Sequence, residues 1–297
     1  MARICVLGGT GFVGQALVSR LVAQGHQVRV LTRQQFRHRS LLVLPTLDLV
    51  QVNVHKERSL IRHTEGMDVI INLIGILNES RFRQRTFKKT HVRLAQKLVS
   101  ACHTHDIPRL LQMSALGADR NARSHYLRSK AEAEAALLQF SGVTKVTSFR
   151  PSLIFGPGDH LIGRFTALLR LAPYFFPLGC PGTRFAPVYV GDVVTRMCDS
   201  LNDRQTFSQS INLCGPDIYT LQELVELIAA TAGLKRRVVP LSPFMSRMQA
   251  RILGRVPGKP LTMDNYHSLQ VDSVCPEAAP CPTHLEPIMR EMLGKNG

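Results

Sequence analysis

The segment from Arg3 to Leu31 restricts this chain to a small group of folds. Arg3-Ile-Cys-Val-Leu7 is a short apolar run of the kind found in a strand covered on both faces. A glycine turn follows at once, Gly8-Gly9-Thr10-Gly11-Phe12-Val13-Gly14. Phe12, Val13, Ala16, Leu17, Leu21 and Val22 then recur at helical spacing, and Gly25 is the stop signal before a second strand at Val28 to Leu31. Strand, turn, helix and strand in so short a stretch form a βαβ unit, which favours a parallel sheet.

The alternation continues along the chain. Leu47 to Val52, Val69 to Leu73, Leu110 to Met113 and Val146 to Phe149 read as strands, with helices over 86–104 and 125–140. The expected class is α/β: a Rossmann doubly wound parallel sheet with helices on both faces and a small C-terminal α/β region on the substrate side. At 297 residues, a main domain with a smaller companion is the natural size. The expected division is a nucleotide-binding domain over 1–155 with 186–214 returning to it, and a substrate- or partner-side region over 156–185 and 215–297. Prolines and glycines are dense over 151–187, and Ile211 to Leu213 reads as the returning strand. Thr220-Leu-Gln-Glu223 is a capping box that opens another helix.

The spacing Gly8-x-x-Gly11-x-x-Gly14 between a strand and a helix is the context in which such a turn binds a dinucleotide. Gly8 permits the sharp bend, Gly11 lets a pyrophosphate approach the backbone, and Gly14 lets the helix pack closely. Thr10, Phe12 and Val13 complete the turn, and the helix start offers free N–H groups with a partial positive charge. An NAD-preferring site carries an acid at the end of the second strand. Here the strand ends Leu31-Thr32-Arg33, and Arg33 suits a 2′-phosphate, with Arg37 and Arg39 as helpers. The cofactor expected is therefore NADP(H) rather than NAD(H). Later strand ends should line the same crevice: Asn53 and Val54 near adenine, Leu73, Ile74 and Gly75 near the ribose, and Pro151 and Leu153 near the nicotinamide.

Ser114 ends one strand, and Tyr126-Leu-Arg-Ser-Lys130 opens the next helix with Tyr126 and Lys130 on one face. A free phenol has a pKa near 10, and a neighbouring ammonium favours the phenolate. Ser114, Tyr126 and Lys130 are thus the candidate catalytic residues. Tyr126 would exchange a proton, Lys130 would tune it and hold ribose hydroxyls, and Ser114 would bind a substrate carbonyl.

The net charge of +16 attracts anions without choosing among them. The basic residues cluster at Arg33 to Arg39, Arg81 to Arg93 and Arg247 to Lys259. Residues 243–256 place Phe244, Met245, Met248, Ile252 and Val256 near one helix face and Arg247, Arg251 and Arg255 on another. Either this helix lies at a membrane interface, or it packs its apolar face on the small domain. No nucleic-acid motif appears, and no apolar run reaches the ~18 residues of a membrane span. With no room for a signal peptide before the first strand, the expected location is the cytoplasm, with peripheral contact at the inner membrane face left open. The seven cysteines form no C-x-x-C pair and, with eleven scattered histidines, no metal-ligand spacing. They read as buried reduced thiols.

These motifs, with Arg150-Pro-Ser-Leu-Ile-Phe-Gly-Pro-Gly-Asp159, resemble the short-chain dehydrogenase/reductase superfamily in its extended or atypical, epimerase/dehydratase-like branch. More narrowly, Asn72-Leu-Ile-Gly75, Ser114-Ala-Leu-Gly-Ala118, Tyr126-Leu-Arg-Ser-Lys130, Pro187-Val-Tyr-Val-Gly-Asp-Val193 and Leu261-Thr-Met-Asp264 are similar to bacterial relatives of the NADPH-binding accessory subunit of respiratory complex I. The resemblance implies a seven-stranded or similar sheet with NADP(H) at the glycine turn. Two functions are consistent with it: an NADP(H)-dependent oxidoreductase acting on a carbonyl or quinone-like substrate, or a non-catalytic nucleotide-binding subunit with a protein partner. Asn53 departs from the Asp of many relatives and weakens the adenine contact.

Overall fold

The structure is a computed structural model that describes residues 1–79, 86–140, 143–159, 161–256, 259–275 and 280–294. Its first strands are β1 (Arg3–Leu7), β2 (Gln27–Thr32), β3 (Leu47–Gln51), β4 (Val69–Asn72), β5 (Arg109–Met113) and β6 (Lys145–Pro151). They join Gln209–Leu213 in one seven-stranded sheet, in the order Gln209–Leu213, β6, β5, β4, β1, β2, β3. The five β1 to β6 pairings are parallel, with Leu7 opposite both Leu31 and Asn72. Ser208 N–H donates to Val146 O at 2.6 Å and Ser152 N–H to Leu213 O at 2.9 Å, so the returning strand runs the same way. The chain order reverses at β1, where crossovers leave to opposite sides. Such a switch point opens a crevice beyond the strand ends.

Strands β1, β4 and β5 are buried almost throughout because helices cover both faces. These helices include α1 (Phe12–Ala23), α2 (Glu57–Thr64), α3 (Arg93–Thr104) and α4 (His125–Leu138). A core of Leu7, Leu31, Leu60, Ile70, Leu94, Leu98, Leu110 and Leu137 fills one side. The helical pattern read over 86–104 resolves into a π-helical turn at Lys88–Val92 followed by α3. Such a bulge turns side chains toward a new direction and often marks a functional site.

Contacts divide the chain into two compact units. The first is Met1–Asn121, Leu127–Arg150 and Val193–Ile211, and the second is Ala122–Tyr126, Pro151–Asp192 and Asn212–Gly297. The second unit contains α5 (Leu161–Leu171), α7 (Leu221–Thr231), α8 (Pro243–Leu253), α9 (Met263–Ser268) and α10 (Leu285–Gly294), while α6 (Val190–Asp199) begins in it. Its core joins Phe155, Leu169, Leu178, Leu224, Val225, Ile228 and Met289. The capping box forms as expected, with Thr220 Oγ1 accepting from Glu223 N–H and Glu223 returning to Thr220 N–H.

One reading from the sequence is corrected. Cys214 and Cys275 are disulfide-bonded, with Cα atoms 6.0 Å apart. They lie 61 positions apart in the chain, and a short parallel bridge between Phe185 and Ser273 brings the second cysteine back. Outside this disulfide, Cys5, Cys102, Cys198 and Cys281 are buried and Cys180 is half-buried. Among the described residues no helix is long and apolar enough to cross a membrane, and no cluster of His, Cys, Asp and Glu is disposed to hold a metal.

Candidate functional site

The glycine turn folds as a tight loop between β1 and α1. Gly8 has φ +82°, and its missing Cβ would meet Leu73 C at 3.1 Å and Ile74 N at 3.2 Å. Gly11 N–H donates to Gly8 O at 3.0 Å, and Gly11 is the N-cap of α1 with no capping side chain. The N–H groups of Phe12, Val13 and Gly14 therefore sit in the first helical turn, where no intrahelical acceptor exists. A Cβ on Gly14 would fall 2.2 Å from Gly8 O and 2.6 Å from Gly9 Cα. The helix thus rests closely on the turn itself. Gly9 is constrained less severely and by side chains, its Cβ position lying 2.9 Å from a Val30 methyl.

A cleft of about 440 Å³ opens over this turn in the first unit. Of the expected cofactor residues, Gly8, Thr10, Gly11, Arg33, Asn53, Val54, Leu73, Ile74 and Gly75 line it. Phe12 and Val13 are half-buried and Gly14 is buried in α1 beside it. Pro151 and Leu153 belong to the second unit, where Leu153 packs against that unit's core. A larger depression of about 650 Å³ in the second unit, lined by Tyr174, Phe175 and Lys235 to Val238, lacks any glycine turn.

Several lining residues escaped the sequence reading: Gln34, His38, His55, Ile76, Lys89 and Thr90. Lys89 arrives on the π-helical turn, whose register no strand-end rule locates. Lys97 Nζ donates to His55 O. Burial lowers the His55 pKa first, and Lys89, Lys97 and Arg33 push it the same way. The cleft lining contains Arg33 and Lys89 but no Asp or Glu. The side chains of Arg37 and Arg39, and residues Arg81 to Arg85 of the second basic cluster, lie outside the described residues.

Two buried side chains hold the wall that follows β4. Asn72 Nδ2 donates to Gln112 Oε1 at 2.8 Å, while its Oδ1 accepts from Ile74 N–H at 3.2 Å. His91 Nε2 accepts from Ile76 N–H at 3.2 Å, and its Nδ1 lies 2.8 Å from Ser129 Oγ. A ring nitrogen that accepts a backbone N–H carries no proton, so neutral His91 bears its hydrogen on Nδ1 and donates to Ser129. Burial, reinforced by Lys130, drops the His91 pKa to about 3.

The candidate trio has an uneven placement. Lys130 is buried, its Nζ donates to Met113 O at 2.9 Å, and a Cβ on Gly75 would stand 3.2 Å from that nitrogen. Burial pulls the Lys130 pKa down to about 8, opposed by the Glu134 carboxylate. Ser114 is also buried and is absent from the cleft lining. Its Oγ helps to keep the neighbouring Glu134 ionised without forming a well-shaped hydrogen bond. Glu134 accepts from Arg150 Nε at 2.9 Å and Ser210 Oγ at 2.6 Å. Tyr126 stands one helical turn before Lys130 in α4, but burial raises its phenol to about 12. The phenolate expected from the sequence is thus disfavoured, because burial works against the charged form. The start of α4 is held from afar: His125 N–H and Tyr126 N–H donate to the Asp264 carboxylate at 2.6 and 3.1 Å. Within the Leu261-Thr-Met-Asp264 motif, Asp264 thus caps the start of α4 from α9, while Thr262 caps α9 itself.

Comparison with known proteins follows the same lines. A family model described as "NAD dependent epimerase/dehydratase family" matches residues 4–214. The chain is 33% identical over 233 residues to NADH dehydrogenase (ubiquinone) 1 alpha subcomplex subunit 9, mitochondrial, of Arabidopsis thaliana, covering 75% of this chain and 56% of that protein. It is 26% identical to the NADH-ubiquinone oxidoreductase 40 kDa subunit, mitochondrial, of Neurospora crassa, covering 84% of this chain and 65% of that protein. The chain thus spans roughly half to two thirds of the length of these two curated relatives. Among solved structures, UDP-glucuronic acid 4-epimerase from Bacillus cereus, in complex with UDP-glucuronic acid and NAD, aligns over 99% of this chain and 100% of its own, with a TM-score of 0.73 at 15% identity. That likeness is one of fold.

Proposed function

This chain belongs to the NAD dependent epimerase/dehydratase family, and from that premise we propose that it binds NADP(H) in the cleft of its first unit and holds it as a resident nucleotide. The observation that carries the proposal is the cleft itself: a glycine turn at its base, Arg33 and Lys89 in its lining, and no lining carboxylate. In this reading the unpaired N–H groups at the start of α1 and bare Gly11 receive the diphosphate. Arg33 and Lys89 receive the 2′-phosphate, where an acid would have selected the free hydroxyl. Asn53 and Val54 border adenine, and the wall at Leu73, Ile74 and Gly75, held by Asn72 and His91, borders the ribose.

The nicotinamide ring, when bound, supplies hydride chemistry. Placement of the chain's own groups favours retention over turnover. Ser114 is buried beside Glu134, Lys130 is engaged with Met113 O, and the Tyr126 phenol is raised. The two relatives named as subunits of NADH-ubiquinone oxidoreductase extend the proposal to a protein partner that the nucleotide-loaded chain joins. We place this association in the cytoplasm or at its membrane face.

A second reading, reduction of a carbonyl or quinone-like substrate, draws on Lys130, a buried ammonium with its pKa at about 8, one helical turn from Tyr126. There Lys130 would hold ribose hydroxyls and Tyr126 would carry the proton.

The test uses the purified full chain. Calorimetry with NADPH and NADH should show tighter binding of NADPH. NADPH at 100-fold over its Kd should add about 2.7 kcal/mol of stability. No heat and no thermal shift with either nucleotide overturns the proposal. NADPH consumption with a panel of carbonyls and quinones, lost in Tyr126→Phe, selects the second reading instead.

A further inference from the structure

Helix α8 is turned inside out relative to a surface helix of a globular domain. It begins at Pro243 after the cap Ser242, whose Oγ accepts from Met245 N–H. Its inward side is mostly small and polar, with Leu253 half-buried at its end. Ser246 and Ala250 are buried, Ser246 Oγ accepts from Cys180 N–H at 3.2 Å, and Gln249 Nε2 donates to Pro177 O at 2.9 Å. Its outward side carries Phe244, Met245, Met248 and Ile252, exposed by 73%, 46%, 46% and 56%, with Val256 continuing the row at 42%. Of the two packing modes open from the sequence, burial of this row on its own domain is therefore excluded. At 3.6 residues per turn the row from Phe244 to Ile252 covers a sector of about 100° on the helix, Arg247 and Arg251 flank it on one side, and Arg255 and Val256 follow past the helix end.

The charge along this segment has one sign. Between Glu226 and Asp264 the sequence contains seven Lys or Arg and no Asp or Glu. Among the described residues no carboxylate pairs with Arg247, Arg251 or Arg255. Arg247 lies over the Tyr266 ring at 6.0 Å, its stem along the helix. An apolar row edged by arginines in an acid-free segment is complementary to one kind of surface, apolar inside and anionic at its border. Arginine stems reach from the apolar layer to the phosphates above it.

We propose that α8 lies in the headgroup layer of an anionic phospholipid membrane, with Phe244, Met248 and Ile252 inserted and Arg251 and Arg255 on lipid phosphates. The surface belongs wholly to the second unit, so the proposal stands apart from nucleotide binding by the first. Binding weakens with salt, because the arginine contribution is screened.

The chain contains no tryptophan, so Phe244→Trp introduces a single reporter. With vesicles of phosphatidylcholine and phosphatidylglycerol, the indole emission of the Phe244→Trp variant should shift to the blue and be quenched by brominated acyl chains. The unsubstituted chain should float with the same vesicles. Arg251→Gln with Arg255→Gln should weaken flotation roughly 25-fold, about fivefold per arginine. Phe244→Ser should weaken it by about tenfold or more. Unchanged melting and unchanged NADPH heat show that these variants are folded. Four results overturn the proposal: no flotation of the unsubstituted chain, equal flotation on pure phosphatidylcholine, indole emission in the Phe244→Trp variant that is indifferent to vesicles, or sedimentation as a dimer that Phe244→Ser dissolves. The last would assign the face to a second copy of the chain.

Discussion

Gly11→Ala and Gly14→Ala, three residues apart in one turn, should fail for opposite reasons. At Gly14 the new methyl would sit 2.2 Å from Gly8 O, 2.6 Å from Gly9 Cα and 2.7 Å from Gly9 C. All three are backbone atoms, so relief requires α1 to move off the turn. Overpacking of this kind costs about 1–3 kcal/mol, and more where no side chain can yield. At Gly11 the methyl meets only Gly8 O, at 3.3 Å, and φ −82° with ψ 179° is extended backbone that alanine adopts readily. The fold should lose about 0.5 kcal/mol there, the difference between glycine and alanine at an N-cap. The same methyl would stand between a diphosphate and its N–H donors. Loss of one charge-assisted contact is worth about 1.5–3 kcal/mol, or roughly 10- to 150-fold in Kd. Denaturant unfolding measures the first quantity and titration calorimetry with NADPH the second. Gly11→Ala should unfold close to the parent and bind weakly, whereas Gly14→Ala should unfold early. Parent-like NADPH affinity in Gly11→Ala, or parent-like stability in Gly14→Ala, refutes the reasoning about the turn.

Arg33→Ser should weaken NADPH by roughly tenfold or more and leave NADH unchanged, since only the 2′-phosphate contact is removed; an equal loss for both nucleotides in calorimetry removes Arg33 from that role. His91 has its folded pKa depressed to about 3. The unfolded chain therefore binds a proton between about pH 6.5 and 3 that the folded chain does not, and stability falls as pH drops through that window. In His91→Gln the fall should be shallower, and coincident pH–stability curves for the two proteins would dismiss the buried neutral ring. Reducing the Cys214–Cys275 bond, or replacing Cys275 by Ser, should cost about 4 kcal/mol for a loop closed over 61 residues. A melting temperature indifferent to reductant would contradict that bond.

Much of the fold and part of the site were legible in residue order. The run Arg3 to Leu31 carries its own instructions, because strand, turn and helix periodicities are local and the glycine spacing sits at their junction. The strand-end rule then located Arg33, Asn53 and Leu73 to Gly75 in the cleft lining, since a parallel sheet brings its carboxyl ends to one edge. Lys89 was not legible in that way, because a π-helical turn changes the direction in which a side chain leaves the helix. Nor was the burial of Ser114, or the raised phenol of Tyr126. Spacing along a helix says which groups are neighbours, whereas a pKa depends on how much water the neighbours leave.

By itself the sequence determined the family of fold, the turn that could receive a diphosphate and the excess of positive charge. These follow from interactions between residues close in the chain, or from sums over it. The tertiary structure alone decided three things. It joined Cys214 to Cys275, it brought Asp264 to the start of α4, and it turned the apolar row of α8 outward. Each depends on which distant segments meet. For α8 a helical pattern reports that one face is apolar, and only the bonds of Ser246 with Cys180 and of Gln249 with Pro177, beside buried Ala250, decide which face the protein keeps.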